Sequence, residues 1–175
     1  MKTLVPPHGS LKLKPLLLPS NKIKSVREYS KSLNKIPMSS METSDLLLLS
    51  MGAYTPLDGF MGRKNWYSVC KNMRLSNNIF WPIPITLSIS KKQADMLSVG
   101  DTITLFDKET KTDMGILKIT EFYIPDKDFE SEMIFNTLDQ KHPGVLKLKS
   151  RKPINVAGSV QVFNEGLFPS IFNNL

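Results

Sequence analysis

The chain has 175 residues, of which 41% are hydrophobic and 22% charged, a balance typical of a folded globular domain. No segment approaches the roughly 18 consecutive apolar residues that a membrane-spanning helix needs, so we predict no membrane partner. The single cysteine, Cys70, excludes an internal disulfide and favours a reduced, cytoplasmic location.

The formal net charge of +7 comes from the first 40 residues, which carry eight lysines or arginines against one acid, Glu28. Seven of the eight are lysines, and Tyr29 is the only aromatic residue among them. Nucleic-acid interfaces favour arginine and interleaved aromatic rings. We therefore predict a solvated basic segment rather than a specific nucleic-acid interface.

The N-terminal 25 residues contain four prolines, which forbid a continuous helix, and more leucines than a free tail would carry. We predict an extended strap over residues 1–25, packed on the domain or on a partner domain, and then a turn or short helix over residues 25–33. Next, Ser44 is a candidate N-cap for a leucine-rich helix that stops at Gly52.

A turn-rich loop over residues 53–62 precedes a helix predicted for residues 63–74. Its apolar residues recur at the i, i+3, i+4, i+7 spacing of a buried helix face. They are Trp66, Val69, Cys70 and Met73. The pair Asn77-Asn78 is predicted to end this region.

From residue 79 the chain alternates between apolar and polar residues, as strands do. Ser90 is expected to cap a short helix through Leu97, and Phe129 and Met133 to face inward from a helix over residues 125–135. Strands are predicted over residues 79–89, 102–106, 114–123 and 154–163. Short strands joined by hairpins, with short helices in the connections, predict an α+β fold built on a small mixed β-barrel.

The residues themselves predict no active site. The only two histidines, His8 and His142, lie far apart, and no group has metal-ligand spacing or forms a phosphate-binding glycine loop. Carboxylates concentrate over residues 121–132, where a solvated helix face is the simpler interpretation than a catalytic pair. Cys70 has no neighbouring histidine and is read as a structural thiol.

Six blocks of the sequence nevertheless follow one family in order and spacing. Residues 38–46 (MSSMETSDL) and 51–62 (MGAYTPLDGFMG) resemble the stretch S-R-E-x-S-D-L … G-x-F-S-P-L-x-G-F-M of ATP sulfurylases, also called sulfate adenylyltransferases. The other blocks are residues 5–9, 72–75, 81–87 and 142–145. The resemblance covers roughly residues 4–170.

The resemblance implies that residues 26–170 form the family's N-terminal PUA-like domain, with residues 171–175 beginning a linker to a catalytic domain. The family joins ATP and sulfate into adenosine 5′-phosphosulfate and pyrophosphate, the entry to sulfate assimilation. Its ATP- and sulfate-binding motifs are expected in the following domain. The chain alone is therefore predicted to have no catalytic residues, no cofactor or metal site and no activity, with Mg-ATP binding only in the catalytic domain.

The expected partners are that catalytic domain, in cis or in trans, and further copies of the chain in a homo-oligomer. Seven residues in two motifs are candidates for contact with the catalytic domain, although each motif is first of all a turn. They are Asp58, Gly59, Phe60, Met61, His142, Pro143 and Gly144. Met41 stands where the family usually has arginine, which places an ion pair there in doubt. The alternative is a stand-alone PUA-like binding module, with RNA as its ligand.

Overall fold

A computed structural model describes residues 5–163. Within them the chain forms two compact units, each made of segments that are distant in sequence. Unit 1 comprises residues 5–59, Gly100–Lys118 and 158–163, and unit 2 comprises Phe60–Val99 and Ile119–Ala157.

The described chain contains six helices and six strands, and each is numbered here in chain order. The helices are α1 Ser20–Ser30, α2 Ser40–Ser50, α3 Arg63–Asn72, α4 Lys91–Ala94, α5 Lys127–Phe135 and α6 Pro143–Ser150. The strands are β1 Lys35–Met38, β2 Gly59–Phe60, β3 Leu87–Ile89, β4 Thr102–Asp107, β5 Thr112–Tyr123 and β6 Ile154–Val162.

The strands form a mixed sheet in the order β1-β4-β5-β6-β2, with β3 pairing to β6 off this path. β1 runs parallel to β4, whereas β4 and β5 are antiparallel and joined by a short hairpin loop. A mixed sheet with short connecting helices confirms the α+β prediction.

In unit 1, the strap after residue 13 lies against the end of α2 and the loop that follows it. The backbone N–H of Leu16 donates to the carbonyl of Ser50, and that of Lys14 donates to the hydroxyl of Thr55. The helix α1 then begins at Ser20, five residues earlier than predicted, and buries Ile23 beside Leu18 and Phe163.

In unit 2, the predicted inward face of α3 is largely confirmed. Trp66 and Cys70 pack with Tyr123 and Ala157 in one buried cluster, and Val69 is also buried. Met73, however, is exposed, because it adopts the left-handed conformation (φ 51°) that ends the helix at Asn72. The i+7 position therefore falls outside α3.

Two further predicted element boundaries were wrong. α2 starts at Ser40, because Ser39 forms a capping box with Glu42 and so provides the N-cap that was assigned to Ser44. Only Leu87–Ile89 of the predicted strand over residues 79–89 is a strand. Pro82 and Pro84 precede it, and proline cannot donate to a strand ladder.

Helix α5 corrects two further expectations. Its buried residues are Glu130 and Ser131, and Phe129, half-buried, packs against the Trp66 cluster as predicted, whereas Met133 is exposed rather than inward-facing. The carboxylate-rich sequence predicted a solvated helix face here, and for Glu130 that prediction was wrong, because its side chain is buried.

Candidate functional site

The motif Asp58-Gly59 lies in unit 1, where it connects to β6 and to the strap. The carbonyl of Asp58 accepts a 3.0 Å hydrogen bond from Val160, and its largely exposed carboxylate pairs with the ammonium of Lys14. Gly59 has a φ of +158°, and a Cβ there would collide with the carbonyl of Gly158. Glycine is therefore required by a close backbone approach within the unit.

Phe60 and Met61 follow in unit 2, and each is only 3% exposed. The backbone N–H of Met61 donates to the carbonyl of Ile85 (2.9 Å), and its carbonyl accepts from the hydroxyl of Tyr123 (3.0 Å). These side chains are thus interior residues of the described chain. Their predicted contact with a catalytic domain stays a prediction.

His142, Pro143 and Gly144 start helix α6. His142 is the N-cap, its Nδ1 accepting from the N–H of Val145 at 3.4 Å, and Pro143 occupies the first helical position, where its missing N–H costs nothing. A Cβ on Gly144 would meet the ring of Phe135, which also lies 5.1 Å from the imidazole. This motif therefore has a local structural role, and its interdomain role is untested.

The sequence did not indicate the buried polar network around Glu130 in unit 2. The indole N–H of Trp66 donates to Oε2 of Glu130 at 2.7 Å, and the guanidinium of Arg151 lies 3.7 Å from Oε1. Arg151 also donates to the hydroxyl of Thr86 at 3.2 Å. One carboxylate thereby joins α5 to α3 and to the segment after α6.

A second cation reinforces the same region from α5. The ammonium of Lys127 donates to the backbone carbonyls of Lys149 and Arg151, at the C-terminal end of α6, where carbonyls lack partners within the helix. Burial, together with the charges of Arg151 and Lys149, lowers the pKa of Lys127. These contacts are those of a structural clamp between α5 and α6.

Burial is also the largest influence on the pKa values of Glu130 and of the neighbouring Cys70. It raises the pKa of Glu130, although the Trp66 hydrogen bond and the charges of Arg151 and Lys127 act in the opposite direction. It also raises the pKa of the Cys70 thiol to about 12, with the nearby carboxylate of Glu130 adding to the shift. A thiol of that pKa is protonated at neutral pH and is a poor nucleophile.

Neither metal-binding nor membrane-spanning features occur within residues 5–163. No group of three or more histidine, cysteine, aspartate or glutamate side chains in this range could hold a metal ion. No helix among the described residues is long and apolar enough to cross a membrane.

Unit 2 also carries an open cavity of about 420 Å³ at the C-terminal end of α3. One wall is the last turn of α3, and the other is the hairpin of residues 73–81, closed by an antiparallel bridge between Arg74 and Phe80. Its lining residues are Ser68, Asn72, Arg74, Leu75, Ser76 and Asn78. Five of these six have hydrogen-bonding side chains, and no carboxylate is among them.

Backbone and side-chain hydrogen bonds hold the hairpin in place. Leu75 donates to Ile79, and Asn78 donates to Leu75, both at 2.8 Å. The N–H of Ser76 donates to the side-chain oxygen of Asn65 on α3 at 2.9 Å, and the guanidinium of Arg74 donates to the carbonyl of Asn78, also at 2.9 Å. The cavity is thus bounded by a helix end and a braced turn.

The described residues form an α+β fold with a mixed sheet and short connecting helices. The model of the PUA-like domain family matches residues 5–165, and the chain belongs to that family. This match confirms the predicted fold.

The chain is similar along its whole length to part of several longer proteins. The chain is 45% identical over 177 residues to a sulfate adenylyltransferase of Syntrophobacter fumaroxidans, a match that covers 100% of the chain and 43% of that protein. It is also 45% identical over 174 residues to that of Pelodictyon phaeoclathratiforme, covering 99% and 43%. The chain therefore spans less than half the length of these relatives.

A solved structure shares the fold. The hexameric APS kinase from Thiobacillus denitrificans superposes with a TM-score of 0.67, covering 91% of this chain and 27% of that chain. At 24% identity, this similarity shows the fold alone.

Proposed function

We propose that the chain acts as the N-terminal, non-catalytic PUA-like domain of an ATP sulfurylase. The observation that carries this proposal is the 45% identity along the whole chain to sulfate adenylyltransferases of which it spans 43%. The larger part of those proteins has no counterpart in this chain. In this proposal that part, in cis or in trans, binds Mg-ATP and sulfate and makes adenosine 5′-phosphosulfate in the cytoplasm.

The chemistry of the described residues supports a non-catalytic role. Glu130, the most buried carboxylate of α5, is engaged by Trp66 and lies against Arg151, and the raised pKa of Cys70 leaves its thiol protonated. Neither group is poised to transfer protons or attack a phosphorus atom. The proposed assembly is a homo-oligomer, an arrangement for which the hexameric neighbour is a precedent.

The structure of the basic N-terminal segment does not favour the alternative, a stand-alone RNA-binding module. Its one arginine, Arg27, lies 4.6 Å over the ring of Phe163, and Lys31 pairs with Glu28 at 2.6 Å on the same helix. The residue best suited to phosphate or base contacts is therefore packed within unit 1.

A chimera tests the proposal. The 177-residue matching segment of the Syntrophobacter fumaroxidans enzyme is replaced by this chain, and ATP- and sulfate-dependent pyrophosphate release is measured. We expect activity from the chimera and none from the isolated chain. The same enzyme without the matching segment serves as the negative control.

Two results would overturn the proposal. One is turnover by the pure 175-residue chain, which would make it an enzyme by itself. The other is a chimera that assembles and melts like the parent enzyme but has no activity.

A further inference from the structure

The cavity between α3 and the 73–81 hairpin is not explained by the proposed function. Its volume of about 420 Å³ lies within the range of small-molecule sites, roughly 300–1,000 Å³. Asn72, Ser76 and Asn78 are exposed in this open cavity and Ser68 is half-buried, and no hydrogen bond joins their side chains to another group in the described part of the chain. Two hydroxyls and two amides thus remain able to bind a ligand.

The local charge favours an anion. Between Asp58 and Asp95 the sequence contains six lysines or arginines and no acidic residue. Of these six cations, only Arg74 lines the cavity. Its described hydrogen bond to the carbonyl of Asn78 uses Nη1, and a guanidinium has five N–H donors in a fork that matches phosphate oxygens.

The end of α3 that contributes to the cavity lining is unsuited to a bare anion. Asn72 is the last residue of α3, where the helix dipole is negative and the final carbonyls lack partners within the helix. Such an end favours a ligand group that donates hydrogen bonds. The cavity therefore offers a cationic side at Arg74 and an accepting side at Asn72.

We propose that this cavity binds a small phosphate monoester, with its phosphate on Arg74 and a hydroxyl-bearing body against Asn72. Ser68, Ser76 and Asn78 contribute further polar contacts to the body. The volume exceeds what a phosphate ion with five heavy atoms would fill and leaves room for the body of a sugar phosphate.

Titration calorimetry on the 175-residue chain tests this site with ribose 5-phosphate, inorganic phosphate and ribose. We expect ribose 5-phosphate to bind best, phosphate several-fold more weakly, and ribose without detectable heat. R74Q should weaken ribose 5-phosphate binding by roughly tenfold or more, because a charge-assisted hydrogen bond is lost. R74K keeps the charge but loses the planar fork, so its affinity for ribose 5-phosphate should lie between those of the native chain and R74Q.

The matched control is R63Q, which removes the same charge from the other end of α3 and should leave affinity within about twofold. S76L, which adds a bulky apolar side chain to the cavity lining without changing the charge, should abolish binding and keeps the test valid should R74Q fail to fold. Equal affinity for phosphate and ribose 5-phosphate would overturn the monoester proposal. Equal losses in R63Q and R74Q, or no binding of any probe at millimolar concentration, would also overturn it.

Discussion

The indole N–H of Trp66 donates a 2.7 Å hydrogen bond to the carboxylate of Glu130, which is only 4% exposed. The bond joins α3 to α5 inside unit 2, and Arg151 lies against the other carboxylate oxygen. A buried carboxylate with these two partners is costly to remove, because both partners would be left without it.

We expect Glu130→Ala to lower the free energy of unfolding by about 3 kcal/mol, since the buried indole N–H of Trp66 loses its acceptor and the guanidinium of Arg151 loses the adjacent carboxylate. Glu130→Gln keeps an acceptor for Trp66 and should cost less. Urea denaturation measures both. Glu132→Ala, at an exposed position of the same helix, is the control, and an equal loss there would contradict a special role for Glu130.

The free energy of unfolding should depend on pH through the ionisation of Glu130. Burial raises its pKa in the folded state above the ordinary value of 4.5. Its contribution to stability is therefore fully present below pH 4.5 and is lost as the pH rises through the folded-state pKa. We expect the free energy of unfolding of the native chain, relative to Glu130→Gln, to fall as the pH rises from 4.5. A difference that is constant or grows with pH would contradict this.

Cys70 should resist alkylation in the folded protein. Its thiol is 3% exposed and has a pKa of about 12, so both access and thiolate content are low at pH 8. As the only cysteine, it reports directly on unit 2. We expect iodoacetamide to react on the order of a hundredfold more slowly than in urea-unfolded chain. Equal rates would show that this core is open in solution.

The strap should depend on Thr55 more than on its ion pair. The buried hydroxyl of Thr55 accepts from the N–H of Lys14 (3.0 Å) and donates to the carbonyl of Gly52 (2.6 Å). We expect Thr55→Val to cost about 1–3 kcal/mol. Lys14→Ala, which removes only the exposed pair with Asp58, should cost less than about 1 kcal/mol. Thermal denaturation compares the two, and the reverse order would refute the assignment.

Local signals predicted much of the fold. Ser90 caps α4 through a capping box with Gln93, although the helix ends at Ala94 rather than at the predicted Leu97, and Gly52 adopts the left-handed conformation (φ 82°) expected after α2. The alternating stretch around residues 114–123 forms strand β5. In each case the deciding interactions lie within a few residues or follow the strand period, so the sequence contains them.

The ends of helices were harder to predict where two nearby residues could each form the end. Ser39 and Ser44 are both plausible caps, and Ser39 prevails because Glu42 stands at the position that completes its capping box. Met73 fits the apolar spacing of α3 but ends the helix instead, with the hairpin of residues 73–81 following directly. Helix ends are decided by the segment that comes next as well as by the helix itself.

The sequence by itself determined the family, the α+β class and the position of three of the six described strands, β4, β5 and β6. Only the tertiary structure decided which polar residues matter: Glu130 meets Trp66 across 64 positions, and Arg151 meets Thr86 across 65. Likewise, the polar cavity at Arg74 exists because the hairpin folds back on α3, where Ser76 bonds to Asn65. Burial and the meeting of distant side chains depend on packing, which periodicity and local propensity do not encode.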